Sequence, residues 1–269
     1  YPPPRDKKGS RIGFTTGANA AAAAKAAALA LLGEAPEVVD IWLPAGWRQP
    51  FRVFRLERKG DGVLVGMIKD AGDDPDVTHG AEIQAFVRFA SEDRLEGGEG
   101  VGVVTKPGLG VPVGEPAINP VPRRMIWEAV REVTERPLAV TIAIPGGEEL
   151  AKKTLNPRLG ILGGLSVLGT TGVVMPYATS AFRMSVVQAV GVARAAGASL
   201  VIASDFNDKR LGIASRMGAH VTLNPGRDDV LARIKELTQG DGVDLVCEMS
   251  GHPAGHAQAF AAARLGGRV

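Results

Sequence analysis

An alanine-rich run near the start constrains the fold of this chain more than any other segment. Residues 18–33 read ANAAAAAKAAALALLG, which predicts a helix that stops at Gly33, because alanine and leucine favour helices and glycine ends them. Small side chains let such a helix lie close to a neighbouring element.

The residues before this helix allow two interpretations. Thr15, Thr16 and Gly17 offer hydroxyls and backbone N–H groups at a helix start, which could bind a carboxylate or a phosphate. The same residues are equally typical of an ordinary helix cap.

The order of predicted elements divides the chain into a tail and two parts. Residues 1–11 are Pro-rich and charged and are interpreted as a tail, and residues 12–180 have a mixed α and β pattern without a simple repeat. Predicted strands in this first part span residues 37–46, 51–59, 62–70, 82–90 and 138–145, with a hairpin turn at residues 60–62. Predicted helices span residues 122–135 and 146–155.

Residues 181–269 alternate between helices and short strands with short links. This rhythm predicts a parallel, doubly wound sheet. The predicted fold class is therefore α/β, with a mixed α+β N-terminal domain at 12–180. A partial Rossmann-like β-α-β segment at 181–269 follows it.

Composition excludes several classes of protein. The single Cys247 rules out an intramolecular disulfide and makes a Cys-based zinc site unsuitable, so we expect no bound metal. A net charge of +2 gives no indication of a nucleic-acid or membrane surface. No apolar run is long enough to cross a membrane, and the first residues lack the apolar core of a secretion signal. A cytoplasmic location is expected, and the oligomeric state stays open.

The segment KDAGDDPDVTHG, residues 69–80, concentrates four aspartates, a lysine and a histidine. It could be a solvated loop, a metal site or part of an active site. Counted from Asp70, Pro75 stands where a calcium-binding EF-hand loop needs glycine and Ala81 where it needs glutamate, so that motif is excluded. His79 beside an acid could accept a proton, although a structural role is as compatible with the pattern.

A second charged segment, TKPGLGVPVGEPAINPVPRR, spans residues 105–124. Lys106, Arg123 and Arg124 lie among prolines and glycines that stiffen a loop and let its backbone approach a ligand. These cations suit a polyanionic small molecule, and a plain surface loop is the alternative.

Five strings together resemble one family over residues 11–197. FTTGANAAAAAKAA, VGMIKDAGDDPDVTHG, GVGVVTKPGLGVPVGEPAINPVPRRMI, IPGGEELAKKTLNPRLGILGGLSVLGTTGVV and MPYATSAF are similar to the cobalt-precorrin-5B C(1)-methyltransferases of anaerobic cobalamin biosynthesis. The resemblance implies S-adenosylmethionine as methyl donor, a cobalt-bound tetrapyrrole as acceptor and cobalt-precorrin-6A as product.

The resemblance also implies site residues. Asp73, Asp76 and His79 are the candidate catalytic residues. Candidate substrate- and cofactor-binding residues are Thr15, Thr16, Gly17, Lys69, Asp70, Asp74, Lys106, Arg123, Glu148, Lys152, Thr170 and Thr171. The acceptor's carboxylates could also pair with Lys25, Arg124, Lys153 and Arg158.

Two departures from the family pattern stand out. Asn19 occupies a position where many relatives carry cysteine, so no thiol is available there. The family's later SNF-type and GHxGK…THS-type strings are not found, so whether the chain is catalytically active or impaired stays open.

Residues 193–269 resemble a different family, the NAD-binding domain of medium-chain zinc dehydrogenases such as threonine 3-dehydrogenase. The resemblance implies that Asp205 binds the ribose of NAD and that Arg210 flanks its adenosine. However, Ala181, Arg183 and Val186 stand where the GxGxxG phosphate loop is expected. An NAD-binding dehydrogenase fragment and a non-catalytic mosaic of two incomplete segments are therefore the alternative functions.

Overall fold

The computed structural model describes residues 4–6, 9–176, 190–195, 197–248, 250 and 252–269. The chain divides into two compact units, residues 1–178 and 179–269. No helix within these described ranges is long and apolar enough to cross a membrane.

The first unit contains four helices and eleven short strands in its described residues. The helices are α1 (Thr16–Leu31), α2 (Pro120–Arg131), α3 (Gly147–Ala151) and α4 (Asn156–Leu159). The strands are β1 (Gly13–Phe14), β2 (Val38–Leu43), β3 (Trp47–Arg52), β4 (Arg55–Lys59), β5 (Gly62–Ile68), β6 (Glu82–Phe89), β7 (Arg94–Gly97), β8 (Val103–Val104), β9 (Leu138–Ala143), β10 (Ile161–Leu162) and β11 (Val173–Val174).

A five-stranded sheet in the order β4-β5-β6-β9-β7 forms the centre of this unit. Helix α1 packs against β5 and β6 on one side and against α2 on another. Its alanines are almost completely buried, as are Val65 and Ala85 of the strands that it covers. Because alanine adds little beyond the backbone, the helix lies close to the sheet and to α2.

The turn signals in the sequence are confirmed. Gly33 follows α1 with a φ of +106°, a left-handed conformation that glycine adopts without strain. Lys59 pairs with Gly62 across the turn between β4 and β5, and Gly60 has a φ of +58°. The predicted strand 51–59 is wrong as one element, because β3 ends at Arg52 and β4 begins at Arg55.

The pair β1–β11 joins the start of the unit to its end. Gly13 pairs with Val174 and Phe14 with Val173 in antiparallel register. Gly13 also lies against Ala71, where an added Cβ would stand 2.0 Å from the Ala71 carbonyl carbon. The three segments can therefore meet only if residue 13 is glycine.

The second unit alternates strands and helices as the sequence predicted. Its strands are β12 (Ile202–Ser204), β13 (Val221–Leu223), β14 (Val243–Leu245) and β15 (Ala263–Arg268), and its helices are α5 (Asp208–Arg216), α6 (Val230–Leu237) and α7 (Pro253–Ala262). The fold class, α/β with a Rossmann-like C-terminal portion, is confirmed.

Two details of the second unit differ from the prediction. In the described residues β12 pairs with β13 and β14 with β15, both in parallel, so the strands form two separate pairs instead of one sheet. The helix that the sequence predicts over residues 256–267 extends too far, because α7 ends at Ala262 and Ala263–Arg268 pair with β14. Of the helix predicted for residues 181–198, residues 190–195 are helical, whereas residues 181–189 and 196 lie outside the described ranges.

The close approach at Gly13 gives a testable prediction. Gly13→Ala would force backbone apart, and we expect it to lower the free energy of unfolding by about 3 kcal/mol, the upper range for overpacking. Chemical denaturation followed by circular dichroism measures this loss. Gly33→Ala is the matched control: its added methyl meets nothing within 4 Å, so only the strain of a left-handed alanine, about 1 kcal/mol, is expected. Equal losses in both variants would contradict the prediction.

Candidate functional site

The acidic segment 69–80 is held together by one buried lysine. The Lys69 side chain is 1% exposed; its Nζ forms an ion pair with Asp76 and donates a hydrogen bond to Thr78 Oγ1 at 2.5 Å. Asp76 Oδ1 accepts the Thr78 backbone N–H at 2.8 Å and the Thr78 hydroxyl at 2.6 Å. Lys69, Asp76 and Thr78 therefore form a closed hydrogen-bonded triad that fixes the loop.

Burial and pairing act on the two charged members of this triad in different ways. Burial lowers the pKa of Lys69 below its ordinary value, although the nearby Asp76 carboxylate opposes that shift. Burial alone would raise the pKa of Asp76, but the Lys69 ammonium and the Thr78 hydrogen bonds outweigh it and lower the pKa. Asp76 consequently stays ionised at neutral pH, paired with the lysine cation.

Two other aspartates of the segment, Asp70 and Asp73, anchor the incoming chain at Arg11. The Arg11 backbone N–H donates to Asp73 Oδ2 at 2.7 Å, and its guanidinium donates to Asp70 Oδ1 at 2.8 Å. Asp70 Oδ1 also accepts the Gly72 N–H at 2.8 Å. The Asp73 side chain remains 51% exposed, so it can still face a ligand.

His79 is exposed, but one of its ring nitrogens already has a partner. Nδ1 accepts the Ala71 backbone N–H at 3.1 Å, which places the proton of the neutral ring on Nε2. Asp70 Oδ1 lies 3.8 Å from the same Nδ1. The nitrogen that would accept a proton in the predicted general-base role is thus occupied in this conformation.

Backbone hydrogen bonds bring this loop to the start of α1. The Phe14 N–H donates to the Asp70 carbonyl at 2.8 Å, and the Thr15 N–H donates to the Gly172 carbonyl at 3.0 Å. The Gly17 N–H donates to the Leu168 carbonyl at 2.9 Å. The predicted residues 15–17, 70–73 and 170–171 therefore lie at one edge of the first unit, which we call the α1 edge.

The α1 edge offers hydroxyls more readily than free N–H groups. Thr15 caps the helix, since its Oγ1 accepts the Ala18 N–H at 3.2 Å, and the Gly17 N–H is bonded to Leu168. Thr16 is buried, whereas Thr170 and Thr171 are exposed. The N–H groups of Gly17 and Ala18 thus already have protein acceptors. A ligand here would instead contact exposed hydroxyls and carboxylates.

The remaining predicted binding residues lie elsewhere in the unit. Lys106 is exposed and its side chain packs over Gly160. Glu148 and Lys152 are exposed on and just after α3, and Lys152 pairs with Glu149. The Arg123 Nε donates to the Ile118 carbonyl at 3.0 Å, and its guanidinium pairs with a glutamate. In the described ranges no hydrogen bond or ion pair links these residues to the acidic segment.

The proposed ligand role of Lys25 is contradicted by its surroundings. Lys25 is buried in α1 and donates to Glu132 Oε2 at 2.6 Å and to the Asp40 carbonyl at 2.7 Å. The Asp40 carboxylate lies 3.7 Å from the Lys25 ammonium. Arg48 pairs with the carboxylates of both Glu132 and Asp40, and hydrogen bonds first to Glu132 and then to Asp40 raise its pKa above the ordinary value. Lys25 is consequently a structural cation rather than a free one.

In the second unit Asp205 and Arg210 bind each other. Arg210 Nε and a terminal guanidinium nitrogen donate to the two Asp205 oxygens, each at 2.6 Å. The Asn207 N–H donates to Asp205 Oδ1 at 2.7 Å, and Asn207 itself caps α5. Both carboxylate oxygens of the predicted ribose ligand are thus engaged. The positions expected for the phosphate loop, residues 181, 183 and 186, lie outside the described ranges.

Metal binding finds no geometric support in the part of the chain that the structure describes. No group of three or more His, Cys, Asp or Glu side chains there could hold a metal ion.

Sequence reasoning missed several partners at these sites. Thr78 had a local signal, since a hydroxyl two residues after an aspartate commonly closes an Asx turn. Arg11, Asp40 and Glu132 carried no signal, because their partners lie 59, 15 and 107 residues away along the chain.

Comparison with known proteins assigns the first unit to a family. The CbiD family model matches residues 3–176, well over half of the chain. The chain belongs to the CbiD family. A second model, Zinc-binding dehydrogenase, matches residues 187–269.

Individual relatives agree with the CbiD assignment. The chain is 91% identical to a cobalt-precorrin-5B C(1)-methyltransferase of Thermus thermophilus over 221 residues, which are 82% of this chain and 60% of that protein. A namesake from Salinispora tropica is 58% identical over 71% of this chain and 52% of its own length. The chain thus spans little more than half the length of these curated relatives.

A solved structure agrees as well. The cobalamin biosynthesis protein (cbiD) of Archaeoglobus fulgidus superimposes with a TM-score of 0.51 at 28% identity, covering 81% of this chain and 78% of that one. An aligned stretch of 221 residues must extend past residue 176 wherever it begins. The likeness to the Thermus protein therefore reaches into the range of the dehydrogenase model.

The buried triad predicts how stability responds to mutation. Lys69→Met leaves the Asp76 carboxylate without its cation, and we expect a loss of about 2–3 kcal/mol in the free energy of unfolding. This lies below the ~3–5 kcal/mol typical of fully buried pairs, because Asp76 is 25% exposed. The double variant Lys69→Met/Asp76→Asn should recover much of the loss, since no unpaired charge remains. Urea denaturation of all three proteins measures these differences.

The same triad sets a pH dependence. Because the folded pKa of Asp76 lies below its ordinary 3.8, its contribution is present at neutral pH and disappears as pH falls below 3.8. The stability difference between wild type and Asp76→Asn should shrink over that acid range. A difference that stays constant there, or a double variant no more stable than the single one, would contradict the role of the triad.

Proposed function

We propose that this chain catalyses, or retains the binding site for, the S-adenosylmethionine-dependent C-1 methylation of cobalt-precorrin-5B to cobalt-precorrin-6A. The observation that carries the proposal is the 91% identity to a protein named for that methyl transfer, over 82% of this chain. The small-molecule tetrapyrrole partner follows from that name. A cytoplasmic location suits an enzyme that acts on a biosynthetic intermediate.

The chemistry of the proposed reaction fits what the α1 edge offers. Methyl transfer from a sulfonium breaks a carbon–sulfur bond as the new carbon–carbon bond forms in line, so the protein must mainly position both reactants and balance charge. The exposed carboxylate of Asp73 and the exposed hydroxyls of Thr170 and Thr171 belong to segments that hydrogen bonds join to the start of α1. We assign the donor to this edge, with Asp73 near its sulfonium or ribose.

The other candidates receive distinct roles in this proposal. Lys69 and Asp76 position the loop through the triad, which leaves their charges turned to each other. Asp70 anchors Arg11 and so aligns the segment that precedes Thr15. His79 keeps Nε2–H exposed as a hydrogen-bond donor, which suits substrate orientation better than proton removal.

A second candidate function rests on the Zinc-binding dehydrogenase match over residues 187–269. It supports an NAD-binding role in which Asp205 would hold the ribose. Ribose hydroxyls would then share the Asp205 oxygens with the two Arg210 hydrogen bonds, which charge makes stronger than neutral ones. A non-catalytic mosaic is the outcome if neither ligand binds.

Side-by-side titration of the purified chain with S-adenosylmethionine and with NADH separates these proposals. We expect calorimetry to detect donor binding, and Asp73→Asn to weaken it about tenfold, because the variant removes a negative charge that faces the sulfonium. Asp61→Asn is the matched control, since Asp61 lies in the exposed β4–β5 turn.

Three results would count against this account. Donor affinity unchanged in Asp73→Asn would remove Asp73 from the site. NADH binding without donor binding would favour the dehydrogenase-like alternative. Binding of neither ligand would leave the mosaic interpretation.

A further inference from the structure

The short ladder β8–β10 turns an apolar strip toward solvent. Its register pairs Ile161 with Val104, both buried, and Leu162 with Val103, which are 50% and 43% exposed. Residues directly opposite in an antiparallel pair share one face of the ladder, with their Cβ atoms about 5 Å apart. Pro116 bridges to Val103 from the other side and is partly exposed. Leu162, Val103 and Pro116 therefore stand side by side, and we call them the apolar strip.

In the described ranges, three exposed cations without acidic partners lie close in sequence to the two strands of this strip. Lys106 follows β8 by two residues, and Lys153 and Arg158 lie in the turn and helix that lead into β10; all three are exposed. Among the described residues none of the three has an ion-pair partner. In contrast, Lys152, Arg123 and Arg124 pair with Glu149, Glu115 and Glu128.

A glycine at the start of the ladder makes room for one of these cations. Gly160 has a φ of +82°, and an added Cβ would lie 2.5 Å from Lys106 Cγ. The Thr105 N–H and hydroxyl both donate to the Gly160 carbonyl, at 2.7 and 2.8 Å. The backbone of Lys106 is thereby fixed beside β10, and its side-chain methylenes lie across Gly160.

An exposed apolar surface rimmed by unpaired cations has a definite ligand chemistry. Covering the apolar strip with an apolar ligand surface is favourable, and each cation can donate a charge-assisted hydrogen bond to a ligand carboxylate. A nucleotide or a simple phosphate supplies the charge without the broad apolar face. A macrocycle with carboxylates on its periphery supplies both.

We propose that the apolar strip, with Lys106, Lys153 and Arg158, binds the polycarboxylate tetrapyrrole acceptor, separately from the donor site at the α1 edge. This inference rests on the proposed function for the identity of the acceptor, and it adds where that acceptor lies. Sequence alone could not show which candidate cations lack an acidic partner. In the described residues Lys106, Lys153 and Arg158 have none, unlike Lys25, Lys152, Arg123 and Arg124.

The test uses the whole chain and a corrin polycarboxylate, cobyrinic acid, whose binding is followed by its visible absorbance. We expect K106A/K153A/R158A to bind it at least tenfold more weakly than wild type, since three charge-assisted contacts are lost. The control R52A/K59A/R94A removes the same charge from exposed cations elsewhere in the unit and should bind normally. Leu162→Glu places a negative charge on the strip, which repels the ligand carboxylates, and should also weaken binding at least tenfold.

A matched ligand and a folding check complete the design. Cobinamide, the corrin whose peripheral groups are amides, should bind wild type much more weakly than cobyrinic acid does. All the substituted residues are exposed, so melting temperatures should stay near that of wild type. Equal affinity of wild type and K106A/K153A/R158A for cobyrinic acid, or no binding by wild type, would overturn the inference.

Failure of this inference can be told apart from failure of the proposed function. Loss of cobyrinic acid binding in K106A/K153A/R158A, without methyl transfer by wild type, supports the acceptor site and contradicts the activity. Methyl transfer by wild type with an unchanged KM for the acceptor in K106A/K153A/R158A supports the activity and overturns the site.

Discussion

The first unit depends on the burial of helix α1 on all sides. The small side chains of the alanine run let this helix lie close to a sheet on one side and to another helix on the next. The one buried cation of this helix, Lys25, is tolerated because Asp40, Glu132 and Arg48 surround it with paired charge. This packing sets the position of Thr15, and hydrogen bonds then draw the acidic segment and residues 168–172 to the same edge.

Within that frame, the acidic segment is neither a loose solvated loop nor a cluster of equivalent carboxylates. Lys69 forms an ion pair with Asp76, and Arg11 donates hydrogen bonds to Asp70 and to one oxygen of Asp73. The Ala71 N–H donates a hydrogen bond to one ring nitrogen of His79. The charged residues of the segment therefore differ in role. Lys69, Asp70 and Asp76 hold the loop together, whereas the Asp73 carboxylate is still partly exposed. Fewer carboxylates of this segment can therefore contact a methyl donor than the sequence pattern suggested.

Local signals in the sequence predicted most elements correctly, including α1, the Gly60 turn and the β-α alternation after residue 190. The sequence could not show which charges are free, because the partners of Lys25 and Arg11 are distant along the chain. It also could not show the apolar strip, since a two-residue ladder such as β8–β10 has no periodicity to detect. Asp205 and Arg210 are only five residues apart, but the sequence analysis assigned both to NAD and did not predict their ion pair.

We propose that the first unit directs a methyl group from a sulfonium to one carbon of a corrinoid ring. Incubation of the chain with cobalt-precorrin-5B and S-adenosylmethionine carrying a ¹³C-labelled methyl group tests this proposal, with the labelled carbon located by NMR. We expect a single new labelled methyl group at C-1. No transfer, or transfer to another ring position, would contradict it.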